Sequence, residues 1–463
     1  MKLPVCLLIA ASLAANAQVK PTPPPTKPSA APGIPKFPPF EQTLTDPVLF
    51  TKPLESVMTA YQFQVTAAQK DMMEKMRARM KERGVTMPDK DPSAFQWLSD
   101  KKDGLRADPQ MIELFGQKVG EVIIRGDATG KVGPITVSIY NRGDDGDLST
   151  PEMNTRLKAW QDKISAALGV QPEAHDQRGT VILTGQMWRK GHTAWLLESS
   201  TGKGAESARA EFARLRIAST DTAASGGVAR RSSLTDHVTH KDNGDVYLDG
   251  VPMVDQGQKG YCAVASAERV VRYYGLDVDQ HEMAEIANTG SMGTSMPEME
   301  AALKKATGKL QVKTIKQFDL DQREYEQDVR SYNQAAKKAN EKEFYYDRKV
   351  AMVNPLQFWA EVKPDLFLQV KTAQPGFARY NGKIEEYINQ GIPLCWALQL
   401  GMFKETGIPQ THGGHMRLII GYNKKTNEIL YTDSWGKGHE LKRMPAGQAW
   451  CMSMALFTMV PTR

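Results

Sequence analysis

The sequence predicts an α+β protein of two folded domains, each combining helices with antiparallel strands. Three observations predict it. The 463 residues are 41% hydrophobic, 24% charged and 8% aromatic. That globular balance excludes a wholly disordered, collagenous or coiled-coil chain and suffices for two or three cores. Segments of helical and of strand periodicity occur in both halves, with no repeat at solenoid spacing. A stretch rich in Ser, Thr, Ala and Gly at 219–233 divides the halves.

Taken in order, residues 1–17 read as a signal peptide. Lys2 supplies a positive start, Val5 to Ala15 a short apolar run, and Ala15-Asn-Ala17 small residues for cleavage before Gln18. Cys6 lies inside this segment. The run is shorter than the about 20 apolar residues that span a bilayer. The protein is therefore expected to be exported to the periplasm or secreted, with no integral membrane segment after signal removal. Residues 18–40 hold most of a Pro-rich stretch, expected to be an extended linker.

A smaller α+β domain is expected over 41–218. Leu54 to Arg83 has helical spacing and ends at Gly84, while Val119 to Arg125 and Pro134 to Tyr140 read as strands. Thr150-Pro151 with Glu152 opens a helix that Gly169 ends. Met187 to Leu197 reads as a hairpin turning at Lys190-Gly191, and Glu206 to Ile217 as a final helix. The acidic run Asp144-Asp-Gly-Asp147 has Thr155 where a calcium loop needs its bidentate Glu, so it reads as a solvated turn. Residues 219–239 are expected to form a flexible linker, with Arg230-Arg231 a candidate nicking site. In the second domain, 240–463, Leu320 to Ala351 is expected to be an exposed, structural helix or helical hairpin.

The formal charge of +6 is spread over 59 basic and 53 acidic residues, without a dense Lys/Arg block carrying aromatics. Nucleic-acid binding is therefore not expected. Signal removal leaves Cys262, Cys395 and Cys451, an odd number for an oxidising compartment. Cys395 and Cys451 have apolar neighbours and read as two buried thiols or as a disulfide between them. Cys262 differs. It follows a polar, Gly-containing loop from Asp255, and Ala263, Val264, Ala267, Val270, Val271 and Tyr274 then form one helical stripe ending at Gly275. Unpaired N–H groups and the helix dipole at that N-terminus favour a thiolate, the nucleophilic form.

A nucleophilic thiol needs a base. His175, His192, His237, His240 and His281 sit in polar settings that solvation explains, whereas His412, His415 and His439 cluster near the C-terminus. His415 opens a strand, Asn423 to Asn427 is a turn, and the returning strand Glu428 to Thr432 leads into Asp433. If Asn423 faces Asn427, His415 faces Trp435 and Asp433 lies on the diagonal of the same face. A one-residue slip would move Asp433 to the other face. In the favourable register Asp433 orients the imidazole and His415 activates Cys262. The pair His412 and His415 has no further ligands at metal spacing, so no metal site is expected.

These residues resemble the motifs of papain-like cysteine peptidases. Gln256-Gly-Gln-Lys-Gly-Tyr-Cys262-Ala-Val-Ala-Ser is similar to their nucleophile motif, in which a Gln six positions before the Cys serves the oxyanion hole. Gly414-His415-Met-Arg-Leu-Ile-Ile-Gly-Tyr resembles their histidine motif. Asp433-Ser-Trp-Gly436 resembles their Asn-Ser-Trp-Gly, and its Asp points to the bacterial branch related to the double-glycine, bacteriocin-processing peptidases. The motifs keep the family's order, with His415 153 residues beyond Cys262, and the resemblance covers about 245–463. Tyr261 and Ala263 depart from the family's usual neighbours of the nucleophile.

The resemblance implies a papain-like α+β domain whose Cys-bearing helix packs on an antiparallel sheet carrying His and Asp. It implies Cys262 as nucleophile, His415 as general base and acid, Asp433 as orienter, and Gln256 as oxyanion donor. The expected activity is hydrolysis of amide bonds in a peptide or protein substrate through a thioester, without a cofactor. Two alternatives stay open at this point: a papain-fold binding module without catalysis, and an acyltransferase or transpeptidase using the same residues. For residues 41–218 an inhibitory segment, a substrate adaptor and a surface-binding module all fit.

Overall fold

The computed structural model describes residues 37–63, 67–82, 93–179, 181–203, 208–221, 231–289, 298, 300–301, 310, 312–345, 355–405, 408 and 412–462. The expected signal peptide, most of the Pro-rich segment and the middle of the linker, with Arg230, lie outside them. Among the described residues no helix is long and apolar enough to cross a membrane.

Among the described residues of the first half, nine strands build one antiparallel sheet. Its order is Phe95–Trp97, Gly104–Ala107, Val122–Gly126, Val132–Asn141, Ala208–Ser219, Thr193–Lys203 and Ile182–Lys190, with short strands beyond. Helix Thr150–Leu168 buries Met153, Trp160, Ile164 and Leu168 against it. Ser149 and Glu152 form a reciprocal capping box at its start, and Gly169 ends it in the left-handed region. The hairpin turns at Gly191-His192, one residue later than expected, since Lys190 pairs with Thr193.

Two expectations for this half are corrected. The helix expected over Glu206 to Ile217 is not found in its described part: Ala208–Ser219 is a central strand hydrogen-bonded on both edges. Its Ala, Glu, Arg and Leu residues favour a helix in isolation, but residues 210–215 are all buried within the sheet, and that packing overrides propensity. Leu54 to Arg83 is not one helix either. Leu54–Ala60 and Ala67–Glu82 are separate, because Tyr61 turns into the core against Phe40 and Phe95 and Gln62 bridges to Ser93.

A second, eight-stranded antiparallel sheet begins with Val238–His240 and Asp245–Leu248, then runs through Gly413–Asn423, Leu394–Leu400, Ser453–Pro461 and Val312–Asp319. Glu428–Thr432 joins Gly413–Asn423 as a hairpin. Helix Cys262–Tyr273 packs on Gly413–Asn423. Helix Gln322–Ala339 is less exposed than expected, since Tyr325, Val329, Tyr332 and Ala336 are buried in the core. Both cores reach into the expected linkers. Phe40 is buried in the first, and Leu234, in the 3₁₀ turn Arg231–His237, is buried in the second.

The two halves meet through buried charge. Arg214 pairs with Glu198 of its own sheet and with Asp279 and Glu282 of the second half. Arg125 lies 3.3 Å from Glu268, and Arg216 pairs with Asp277. All of these groups except Glu198 line an interdomain cavity of about 1130 Å³. Lys259 and Tyr261 do not line it; they bond directly to Asp144 and Asn141.

Candidate active site

The nucleophile end is built by a turn and a helix start. Asp255 Oδ1 accepts from Gly257 N at 2.9 Å, closing the loop that leads to Tyr261, the N-cap residue. Cys262 is therefore the first helical residue and its N–H has no acceptor within the helix. Its side chain is half-buried, while Ala263 to Val271 behind it are buried on every side. The site thus opens where the helix begins.

His415 stands on Gly413–Asn423, paired with Leu398. The hairpin turn is one residue longer than expected: Asn423 pairs with Glu428, not Asn427. A bulge at Ile420 then absorbs the extra residue, and Ile419 pairs with Tyr431 and Leu418 with Thr432. Without the bulge, Asp433 would face away from His415. With it, His415 Nε2 donates to Asp433 Oδ1 at 2.7 Å, and the Trp435 ring stacks on His415 at 4.6 Å between centroids. On its other side the imidazole answers the thiol: Cys262 and His415 each shift the other's ionisation. With Nε2 committed to Asp433, Nδ1 is the nitrogen left for sulfur.

The electrostatics follow from these contacts. Burial by itself raises the Cys262 pKa, but the hydrogen bond and charge of His415, and then the Met416 N–H, outweigh it and hold the thiol below its usual value. Burial lowers the imidazole pKa, and the Asp433 charge and hydrogen bond, with the Cys262 contact, raise it to about 9. Burial raises Asp433, while His415 and then Arg417 bring it down to about 2. Together these shifts favour a thiolate beside an imidazolium.

Arg417, two residues after His415 on the same strand face, is fully buried and escaped the sequence reading. Its Nε donates to Asp433 Oδ2 at 2.7 Å and its Nη1 to Glu405 Oε2 at 2.8 Å, with the Tyr431 ring 4.5 Å from the guanidinium. This accounts for Asp rather than Asn at position 433. An Asn that presented its oxygen to His415 would turn its NH₂ onto the Arg417 donor. The usable signal was a lone cation inside an apolar strand, at the spacing that puts it beside His415. Arg269 supports the same corner, its Nη1 donating to the Asp433 carbonyl at 2.9 Å and its Nε to that of Pro252 at 2.8 Å.

Gln256 lies across from Asp433, buried at 8% exposure. Its Oε1 accepts from Ser434 Oγ at 2.7 Å, and one of its Nε2 hydrogens goes to the Lys259 carbonyl at 3.1 Å. One Nε2 hydrogen is left over by these contacts.

Two further expectations change, and one open pair of alternatives is decided. The acidic run is not only a solvated turn: Asp144 Oδ2 accepts from Lys259 Nζ at 2.7 Å and from Asn141 Nδ2 at 3.0 Å. His281 is buried rather than solvated, 3.3 Å from Glu121 Oε1, and its pKa is raised to about 9 because Asp279 and Glu121 outweigh burial. Cys395 and Cys451 are free, buried thiols, and burial raises Cys395 to about 12.

Comparison with known proteins places the second half. Residues 250–346 match the Peptidase C39 family, and residues 365–452 match the Peptidase_C39 like family. The first range holds Gln256 and Cys262, the second His415 and Asp433. The second half is thus a C39-like cysteine peptidase domain, and the protein is a cysteine-type peptidase acting on a peptide or protein substrate. No curated protein matches the chain. Among solved structures, xylellain, a cysteine protease from Xylella fastidiosa, is similar at 9% identity over 51% of this chain and 91% of that one. The TM-score is 0.26, a likeness too loose to bear on the site.

Proposed function

We propose that the protein is an exported cysteine peptidase that hydrolyses amide bonds through Cys262, His415 and Asp433 in a papain-like arrangement. The observation that carries this reading is the imidazole of His415, which joins the Cys262 thiol to a buried, ionised Asp433. The Cys262 thiolate attacks the scissile carbonyl carbon, and the oxygen takes up the displaced electron pair. Gln256 Nε2–H and the Cys262 N–H receive that oxyanion, a donor of this kind contributing about 3 kcal/mol. As the carbon–nitrogen bond breaks, His415 gives its proton to the leaving amine and a thioester remains. Water, deprotonated by His415, attacks the thioester, releases the acid and restores the thiol. Asp433 keeps its charge throughout and holds the ring.

Export rests on the segment Lys2 to Ala17, and a periplasmic or secreted location follows from it. The test of the catalytic reading is alkylation of the native protein by iodoacetamide at mildly acidic pH, with peptide mapping. Cys262 should label fast and alone, and His415→Ala should slow it. Equal rates in the two proteins would remove the basis for an activated thiol.

A further inference from the structure

We propose that the first domain is a positioning element for the oxyanion side of the active site. It acts through Lys259 and Tyr261, with Asp144 and Asn141 as positioning residues. The proposal rests on the peptidase reading above and assigns to residues 41–218 a part in the chemistry of the same site.

The loop Asp255 to Tyr261 carries Gln256 and delivers Cys262, so its shape sets both oxyanion donors. Lys259 is its pivot. The Lys259 carbonyl accepts from Gln256 Nε2 at 3.1 Å and from Tyr261 N at 2.8 Å. The side chain of the same residue is 3% exposed, and its ammonium bonds Asp144 Oδ2 at 2.7 Å, with Glu121 Oε1 3.5 Å away. Both carboxylates belong to the first domain. The main chain that orients Gln256 is therefore tethered, one side chain away, to the other sheet.

Tyr261 repeats the link one step nearer the nucleophile. Its hydroxyl donates to Asn141 Oδ1 at 3.1 Å, and Gly143 lies so close to its ring that a Cβ there would run into it. Asn141 also donates from Nδ2 to Asp144 at 3.0 Å and caps the short helix Arg142–Asp145 by accepting from Gly143 N at 3.2 Å. Asn141 and Asp144 are thus joined to each other as well as to the second half. Lys259 Nζ sits 4.9 Å from the Tyr261 ring centre, closing the cluster. On the opposite side Ser434 fixes Gln256 Oε1. An inhibitory segment would bear on Cys262 or His415; these contacts bear on the residues that orient the oxyanion donors.

The test uses the full chain and two probes of Cys262. With p-nitrophenyl acetate the sulfur adds to the carbonyl, an oxyanion forms, p-nitrophenolate leaves and a thioester remains. With iodoacetamide the sulfur displaces iodide from a saturated carbon, and no oxyanion forms. Asp144→Asn and Asn141→Ala should slow the p-nitrophenolate burst by about tenfold to hundredfold, the scale of a misplaced oxyanion donor. Alkylation should stay near its original rate. Asp144→Glu should restore part of the burst, and Asp277→Asn, on the cavity side of the interface, should move neither rate. Parallel slowing of both probes, or no change in the burst, would overturn the proposal. Should Asp144→Asn fail to fold by circular dichroism, Asn141→Ala decides. His415→Ala separates the two readings: it should slow both probes, and its failure to do so would sink the peptidase reading itself.

Discussion

The two sides of the active site are held in different ways. His415, Arg417 and Asp433 stand on one hairpin, within nineteen residues of each other, and their contacts are short and local. Gln256 and Cys262 stand on a loop and a helix start whose anchors, Asp144 and Asn141, lie more than a hundred residues upstream in another sheet. The basic side is thus wired within its own sheet, while the nucleophilic side borrows its rigidity. Loss of charge at the first side should change the ionisation of the thiol; loosening the second should leave ionisation alone and change the oxyanion geometry.

The largest effect expected from breaking this comparison is at Asp433. Asp433→Asn should slow acylation of Cys262 about a hundredfold or more, since the imidazole loses its charged partner and the new amide meets Arg417. Adding Arg417→Gln, whose side-chain oxygen can accept from that amide, should recover part of the loss. Strict additivity of the two changes in a double-mutant cycle would show that Arg417 does not set the choice of Asp.

A smaller effect distinguishes the sides by pH. The thiol is held low and His415 is raised to about 9, so hydrolysis should be bell-shaped, with its falling limb about pH 9. His415→Ala should move the alkylation profile upward in pH, because burial of Cys262 is then opposed only by the Met416 N–H, whereas Asn141→Ala should leave it in place. Stability carries the same signature. His415 is raised in the fold, so its contribution is complete below pH 6.5 and is lost as pH rises through about 9. Asp433 is lowered, so its contribution is present above about pH 4 and is lost as pH falls toward 2. Urea unfolding of the native chain and of Asp433→Asn across these windows would check both signs.

The smallest effect belongs to the cavity side of the interface. The Asp277 side chain is 64% exposed, and Asp277→Asn should change urea unfolding by no more than about 0.5 kcal/mol. A loss above about 2 kcal/mol would mean that the domains are held together there rather than at Lys259.

Much of the site was legible in residue order alone. The loop–helix junction at Cys262, the stripe behind it and the strand opened by His415 follow from signals acting within about ten residues: turn chemistry, capping and periodicity. The register at Asp433 was legible only in its outcome. The expected turn was one residue too short, and the bulge at Ile420 compensated for it. A bulge depends on both strands and on the face each must bury, so no reading of one strand contains it.

What the sequence by itself determined is the set of reactive groups, their order and the local elements that present them. Only the tertiary structure decided that Ala208–Ser219 is a strand, that Arg417 and not solvent answers Asp433, and that Asp144 and Asn141 reach Lys259 and Tyr261. The strand and the Lys259–Tyr261 contacts depend on partners far along the chain, and the Arg417 contact depends on the register of the hairpin. A charged side chain reads as solvated until burial forces it to find an opposite charge, and the folded chain alone supplies that neighbour.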